Sequence, residues 1–202
     1  MLASLGGCPI ASENPVFGRE DSVRVEGFDG SYVFFDPVDE KIDDEVVVLA
    51  AGGEIELVDP AACEKGRECR WKPIAIRLPA AENAYLIQVD VDDDSPSSYV
   101  FLERSGDYWM VCTEIEGRDE RYDKQIRQTG IEAGLDIDSW KYTHHVVIGN
   151  PEPHLVLRFF DRVWSNIPRA VWRCTGLVAE GKTTAGFQDA WKAFVEGNTS
   201  AN

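Results

Sequence analysis

The sequence lacks the long apolar runs and catalytic motifs that assign many proteins to a class. Its 202 residues contain no run of about twenty apolar residues, so we expect no membrane-spanning helix. Neither a nucleophile elbow nor a phosphate-binding loop nor a dinucleotide fingerprint is present. The segment GKTT at 181–184 lacks the earlier glycine of a phosphate-binding loop and is interpreted as a helix entry. We therefore expect no cofactor.

Basic residues are scarce relative to acidic ones. The chain has 20 Lys and Arg against 36 Asp and Glu, which gives a formal net charge of -16. Nucleic acids and anionic membrane surfaces would be repelled at long range, so neither is an expected partner. The same charge permits a basic protein partner.

Composition and length favour a single folded domain. Hydrophobic residues make up 44% of the chain and aromatic residues 10%, enough for a substantial core. The first thirty residues are rich in Gly, Pro and charge and show little periodicity. We therefore expect a tether at 1–30 and one α+β domain at 31–202, β-rich over 31–116 and helix-rich over 117–202.

Alternating apolar and polar residues predict a series of strands in the first half. The connections between these segments are short and carry turn residues such as Gly52-Gly53, which favours antiparallel neighbours. We expect an antiparallel β-meander of about seven strands, open or curled into a barrel or half-barrel. The predicted strands are 31–36, 45–50, 54–59, 72–79, 84–91, 98–104 and 107–114.

Helical periodicity dominates the second half. Asn150-Pro151 is typical of a helix start, and apolar residues then recur every three or four positions up to Ile167. A last helix is expected from Thr184 to about Val195. Residues 117–135 predict a polar helix broken by Gly130 and Gly134, and 140–149 a further strand.

The cysteines are odd in number. Four of the five can form two disulfides, and of the three pairings we favour Cys63 with Cys69 and Cys112 with Cys174. The first pair closes a small loop and the second joins a strand to a distant segment. The alternative is that all five thiols are reduced. A zinc site is disfavoured because CEKGREC has an unusual spacing and no second Cys or His pair.

Two groups of polar residues are weak candidates for chemistry. Asp90, Asp92 and Asp94 alternate as at the start of a calcium loop, but Ser95 and Phe101 stand where such a loop needs Gly and Glu. We interpret this segment as a solvated acidic loop.

The histidines form no chelating pattern. His144 and His145 are strand neighbours that point to opposite faces, and His154 lies nine residues further on. We expect neither catalysis nor metal binding from these three residues.

The aromatic residues are either core or the lining of a pocket. A curled sheet can enclose a pocket for an apolar or sugar ligand. The candidate residues are Tyr32, Phe34, Tyr85, Tyr99, Trp109, Trp140, Trp164, Trp172 and Trp191.

The N-terminal residues Leu5-Gly6-Gly7-Cys8 resemble a bacterial lipobox. In that family the lipoprotein signal peptidase cleaves before the cysteine, which becomes the lipidated N-terminus. The resemblance implies recognition through Leu5, cleavage after Gly7 and lipidation of Cys8. It departs from the family because MLASL is short for a signal peptide and lacks a basic region.

Together these features favour a non-enzymatic cell-envelope lipoprotein. We expect it to face the periplasm, to be held to the membrane only by its lipid, and to bind a protein partner or small ligand. An inhibitor or immunity role against a basic protein is a narrower form of this hypothesis. The alternatives are an envelope hydrolase using carboxylates and histidines, and a cytosolic interaction domain with reduced thiols.

Overall fold

A large antiparallel sheet carries most of the fold. The computed structural model describes residues 10–12, 14–90, 97–115, 120–139, 146–149, 152–182 and 184–197. Its strands are β1 (Ile10–Ser12), β2 (Gly30–Asp36), β3 (Lys41–Ala51), β4 (Glu54–Val58), β5 (Arg70–Trp71), β6 (Ile74–Arg77), β7 (Ala84–Val89), β8 (Ser97–Ser105), β9 (Tyr108–Ile115), β10 (Asp136–Ser139), β11 (Val146–Gly149) and β12 (Trp172–Ala179).

Helices lie mainly in the second half of the chain. They are α1 (Pro60–Glu64), α2 (Glu120–Ala133), α3 (Pro153–Asn166) and α4 (Phe187–Glu196), with short 3-10 turns at Arg19–Asp21 and Arg169–Val171. The α+β class and the seven predicted strands of the first half are confirmed. The helix predicted to be broken over 117–135 is instead the continuous helix α2, which runs through Gly130. Glycine is needed there because a Cβ would overlap the side chain of Ile137.

The sheet consists of two antiparallel blocks joined by a late strand. Strands β2 to β5 form one block and β6 to β9 the other, and β12 lies between β2 and β9. A branch of β1, β11 and β10 continues from β8, where β1 pairs in parallel with β11. The expected meander is therefore broken between β5 and β6, which share no ladder, and β12 joins its first and last strands.

Strand β12 was not among the predicted strands. Its alternation is obscured by Gly176, which packs against the ring of Phe187 in α4. A Cβ at this position would come within 2.2 Å of that ring, so only glycine allows the helix to lie so close to the strand. The helix-rich half of the chain thus contributes a central strand to the sheet.

The sheet curls into a half-barrel with a different core on each face. In β8, Val100 and Leu102 point into the concave core, whereas Tyr99 and Phe101 pack towards the helices. The strands are therefore apolar on both faces, because helices cover the convex face and bury it as well. α3 supplies much of this layer through buried Val156, Phe159, Phe160, Val163 and Trp164.

A buried cation fixes the end of α3 against the sheet. The Arg169 guanidinium lies 3.5 Å from the ring centroid of Trp164 and 2.9 Å from a carboxylate oxygen of Glu103 in β8. Burial lowers the pKa of Arg169, and the Glu103 carboxylate opposes that shift. The ion pair thereby offsets the cost of placing a charge in the helix-packed core.

The segment expected to be a tether contributes to both cores from Ile10 onward. Ile10 and Phe17 are buried on the helical side, and Val25 and Phe28 are buried in the concave core. Apart from β1 this segment forms no strand, so its sequence has no alternation of apolar and polar residues that would predict burial. Its turns need glycine, since Gly27 adopts a φ of 72°.

Residues 22–25 cover the seam where the two edges of the curled sheet approach each other. The N–H of Val23 donates to the carbonyl of Ala75 in β6 at 2.8 Å, and the N–H of Val25 donates to the carbonyl of Gly53 beside β4 at 2.9 Å. The N–H of Ala75 donates in turn to Ser22 Oγ at 3.2 Å. These bonds close the half-barrel without a direct ladder between β4 and β6.

Both favoured disulfides are present. Cys63 and Cys69 join the end of α1 to the segment before β5, and Cys112 and Cys174 join paired positions of β9 and β12. Two bonded pairs indicate a non-reducing, extracytoplasmic environment. Cys8 lies outside the described residues. No helix in the described ranges is long and apolar enough to cross a membrane.

Substituting Gly53 should open the seam. In Gly53→Ala the new Cβ would lie 2.8 Å from the carbonyl oxygen of Val25, in addition to the strain of a positive φ. Gly106→Ala is the matched control, since Gly106 has a φ of 60° and open space around it. We expect losses in unfolding free energy of about 1 kcal/mol for the control and at least about 2 kcal/mol for Gly53→Ala in urea. Equal losses would contradict the close packing at the seam.

Candidate functional site: a pocket in the curled sheet

The concave core contains an open pocket with a wholly apolar lining. Its volume is about 50 Å³, a small space compared with drug-sized ligand sites. Because no lining side chain is polar, the pocket favours an apolar group over a hydrated one. The lining residues come from both blocks of the sheet and are Phe28, Phe34, Val48, Ile55, Leu57, Pro73, Ile87, Val89, Val100, Leu102, Val111 and Leu177.

The aromatic candidates divide between the two faces of the sheet. Tyr32, Phe34, Tyr85 and Trp109 belong to the concave core, so the structure places them at or beside the pocket. Another four pack among the helices on the opposite face, namely Tyr99, Trp164, Trp172 and Trp191. Trp140 lies outside the described residues. Trp164 and Trp191 lie in α3 and α4, and for the residues on strands the division follows from alternation, because adjacent residues on a strand face opposite sides.

Phe28 closes one end of the concave core. Its ring is fully buried, with its centroid 4.5 Å from that of Tyr32 and 5.1 Å from that of Trp109. The sequence analysis missed this residue because it lies in the segment assigned to the tether. The available signal was a lone Phe between Gly27 and Gly30, where glycines permit a chain reversal into the core.

A second cavity lies on the outside of the seam. It has a volume of about 250 Å³, and its walls include the exposed cations Arg19, Arg24 and Lys72 and one carboxylate, Glu54. Ile55 and Pro73 line both this seam cavity and the apolar pocket. These two side chains therefore form the wall between a cationic space and an apolar one.

The three cations of the seam cavity have uncompensated charge in the described part of the chain. The side chains of Arg19, Arg24 and Lys72 make no ion pair or hydrogen bond with any described residue, whereas Arg70 nearby pairs with Glu56 at 2.7 Å. In a chain of net charge -16, such a group of cations is a local exception. It creates an electrostatic preference for an anion at this point.

The acidic and histidine candidates are not brought together where the structure describes them. Asp90 follows β7 and accepts a hydrogen bond from Gln88 Nε2 at 3.0 Å. His154 lies in the first turn of α3 and is largely exposed, and its Nδ1 is 3.4 Å from Glu152 Oε2. Asp92, Asp94, His144 and His145 lie outside the described residues. Within those ranges, no group of three or more His, Cys, Asp or Glu is arranged to hold a metal ion.

Gln88 has a structural task instead. Its Oε1 accepts hydrogen bonds from the N–H groups of Val16 and Phe17 at 3.1 and 3.0 Å, and its Nε2 donates to the carbonyl of Phe17. Tyr99, whose hydroxyl is 2.8 Å from Ser12 Oγ, lies beside it, and burial raises the pKa of that hydroxyl. This buried polar group holds the N-terminal segment against the sheet.

Enlarging a side chain of the pocket wall should be tolerated. Val100→Ile adds one methylene group towards the open space, so we expect the unfolding free energy to be unchanged or slightly raised. Val178→Ile in β12 is the matched control because Val178 is buried on the helix-packed face, where overpacking costs about 1 kcal/mol or more. Denaturant unfolding of both variants measures the difference. A larger loss for Val100→Ile than for the control would show that the pocket is not open.

Comparison of the chain with protein-family models, curated proteins and solved structures gave no match. Its function therefore has to be inferred from its own residues. The features that bear on function are the apolar pocket, the cationic seam cavity beside it and the two disulfides.

Proposed function

We propose that this protein is a non-enzymatic binding protein of the bacterial cell envelope that takes up a small apolar group in its curled sheet. The observation that carries the proposal is the wholly apolar pocket in the concave core, which remains open although the surrounding side chains are buried. Close-packed domains leave few such spaces, and an apolar space that stays open can take a small apolar group.

The proposed location depends on the cysteines. Both disulfides fit an oxidising compartment, and the fifth cysteine is then left for lipidation within Leu5-Gly6-Gly7-Cys8. The bonded pairs argue against the alternative of a cytosolic domain with reduced thiols. A multiply acylated Cys8 would give a stable anchor facing the periplasm.

A basic protein partner is the second candidate. The net charge of -16 favours association with a positively charged surface, as an inhibitor or immunity protein would require. The hydrolase alternative has less support, because no described carboxylate or histidine lines the apolar pocket. A ligand site and a protein-binding surface can coexist on one domain, so each is tested separately.

A neutral alkyl probe tests the pocket. Octanol should bind the full chain saturably, with chemical-shift changes of the lining methyl groups in NMR, because the end of its chain fits the apolar interior. Val100→Phe places a ring in the pocket and should weaken binding by about tenfold or more, while Val100→Ile should weaken it less. Near-UV circular dichroism of each variant reports retention of the fold. If the folded Val100→Phe variant binds octanol as well as the parent chain, the pocket is not the ligand site.

Mass spectrometry tests the anchor. When the native gene is expressed in bacteria with its upstream codons, we expect the mature chain to begin at Cys8 and to carry the mass of its acyl groups. Cys8→Ala should abolish both cleavage and membrane association, since the cysteine is the acylated residue. A wild-type product that retains Met1 without added mass would exclude lipidation.

Recovery of a basic envelope protein on the immobilised domain would support the second candidate.

A further inference from the structure

We propose that the ligand of the pocket is an anionic amphiphile, a carboxylate or phosphate that carries a single alkyl chain. Its charged head would lie among Arg19, Arg24 and Lys72 in the seam cavity, and its apolar group would enter the concave pocket past Ile55 and Pro73. This inference rests on the proposed function and adds the chemical class of the ligand.

The arrangement of the two cavities supports an amphiphile. Ile55 and Pro73 line both spaces, so a molecule longer than either cavity would have a cationic environment at one end and an apolar environment at the other. A wholly apolar ligand would leave the cations unused, and a wholly polar ion would leave the apolar pocket empty. Ligand sites commonly combine an apolar lining with a few polar groups that fix orientation.

The seam is also the place where an alkyl chain can pass between the edges of the sheet. Strand β4 pairs with β3 and β5, and β6 pairs with β7, so no ladder joins the two edges. Residues 22–25 bridge the edges through three hydrogen bonds to Gly53 and Ala75. An alkyl group that displaces the side chain of Ile55 would therefore enter without breaking strand pairing.

The relative volumes of the two spaces set the size of the ligand. The seam cavity of about 250 Å³ is large enough for a hydrated carboxylate or phosphate, whereas the interior of about 50 Å³ takes the end of a chain and not two full acyl tails. An engineered apolar cavity that holds benzene has a volume of about 150 Å³, so an interior of about 50 Å³ is too small for an aryl ring. The proposal is therefore restricted to anions that carry a single alkyl chain.

The charges around the seam cavity favour an anion over a cation or a neutral molecule. Three cations and one carboxylate, Glu54, line its walls. Because the cations are exposed, each contributes only modestly to the binding free energy of an anion, and salt screens that contribution. Affinity for the anion should therefore fall with ionic strength, whereas affinity for a neutral analogue should not.

The test measures the binding of octanoate, octyl phosphate, octanol and octylamine to the full chain in NMR titrations. We expect octanoate or octyl phosphate to bind with a dissociation constant about tenfold lower than that of octanol at low salt, and octylamine to bind most weakly. The ratio of the affinities of octanoate and octyl phosphate distinguishes a carboxylate site from a phosphate site. High salt should bring the affinities of the anions close to that of octanol.

Charge-neutralising variants locate the effect. The triple variant Arg19→Gln, Arg24→Gln, Lys72→Gln should lose the advantage of the anions over octanol and retain octanol binding. The control triple variant Lys41→Gln, Lys65→Gln, Arg158→Gln changes the net charge equally at exposed positions outside the two cavities and should retain that advantage.

The outcomes separate the two proposals. If octanol and the anions bind equally to the parent chain, or if both triple variants behave alike, the anionic ligand is excluded while the apolar pocket stands. If none of the four ligands binds, or if Val100→Phe does not affect octanol binding, the proposed function and this inference both fail.

Discussion

The two-sided pairing of β12 holds this molecule together. Strands β2 to β5 and β6 to β9 are each complete antiparallel blocks, yet they form a single curved surface only because β12 pairs with β2 on one edge and with β9 on the other. The Cys112–Cys174 bond makes one of these pairings covalent. Without this junction the concave core would lose one wall, and the helices would have no common surface to cover.

Curvature then determines which residues can serve a ligand. The helices pack against the convex face, where rings such as Phe101 and Trp164 stack at 4.2 Å and fill the available space. Among the described residues, the concave face is covered by its own strands, by Phe28 and by residues 22–25. A curled sheet with large side chains at one end and smaller Val and Leu side chains elsewhere leaves room inside, and this is where the apolar pocket lies.

Local sequence patterns predicted much of the sheet but little of the site. Alternation in β7 and β8 is explicit, so both strands could be identified, and cysteine spacing favoured, among three pairings, the two disulfides that the structure contains. Gly176 interrupts the pattern of β12 because the contact with Phe187 is tertiary. The pocket and the seam cavity depend on curvature and on residues far apart in the chain, such as Arg19 and Lys72, and no local pattern encodes their proximity.

The position of β12 in the chain also constrains how the protein can be made. Phe35 of β2 pairs with Gly176 of β12, so a strand formed early in synthesis waits for one that emerges near the end. Contacts of such high sequence separation slow folding, because the entropy of closing a long loop is lost before the contact forms. During that interval β2 and β9 each present an unpaired apolar edge, which is prone to aggregation. The nascent chain would therefore benefit from a chaperone that shields these edges until the last strand arrives.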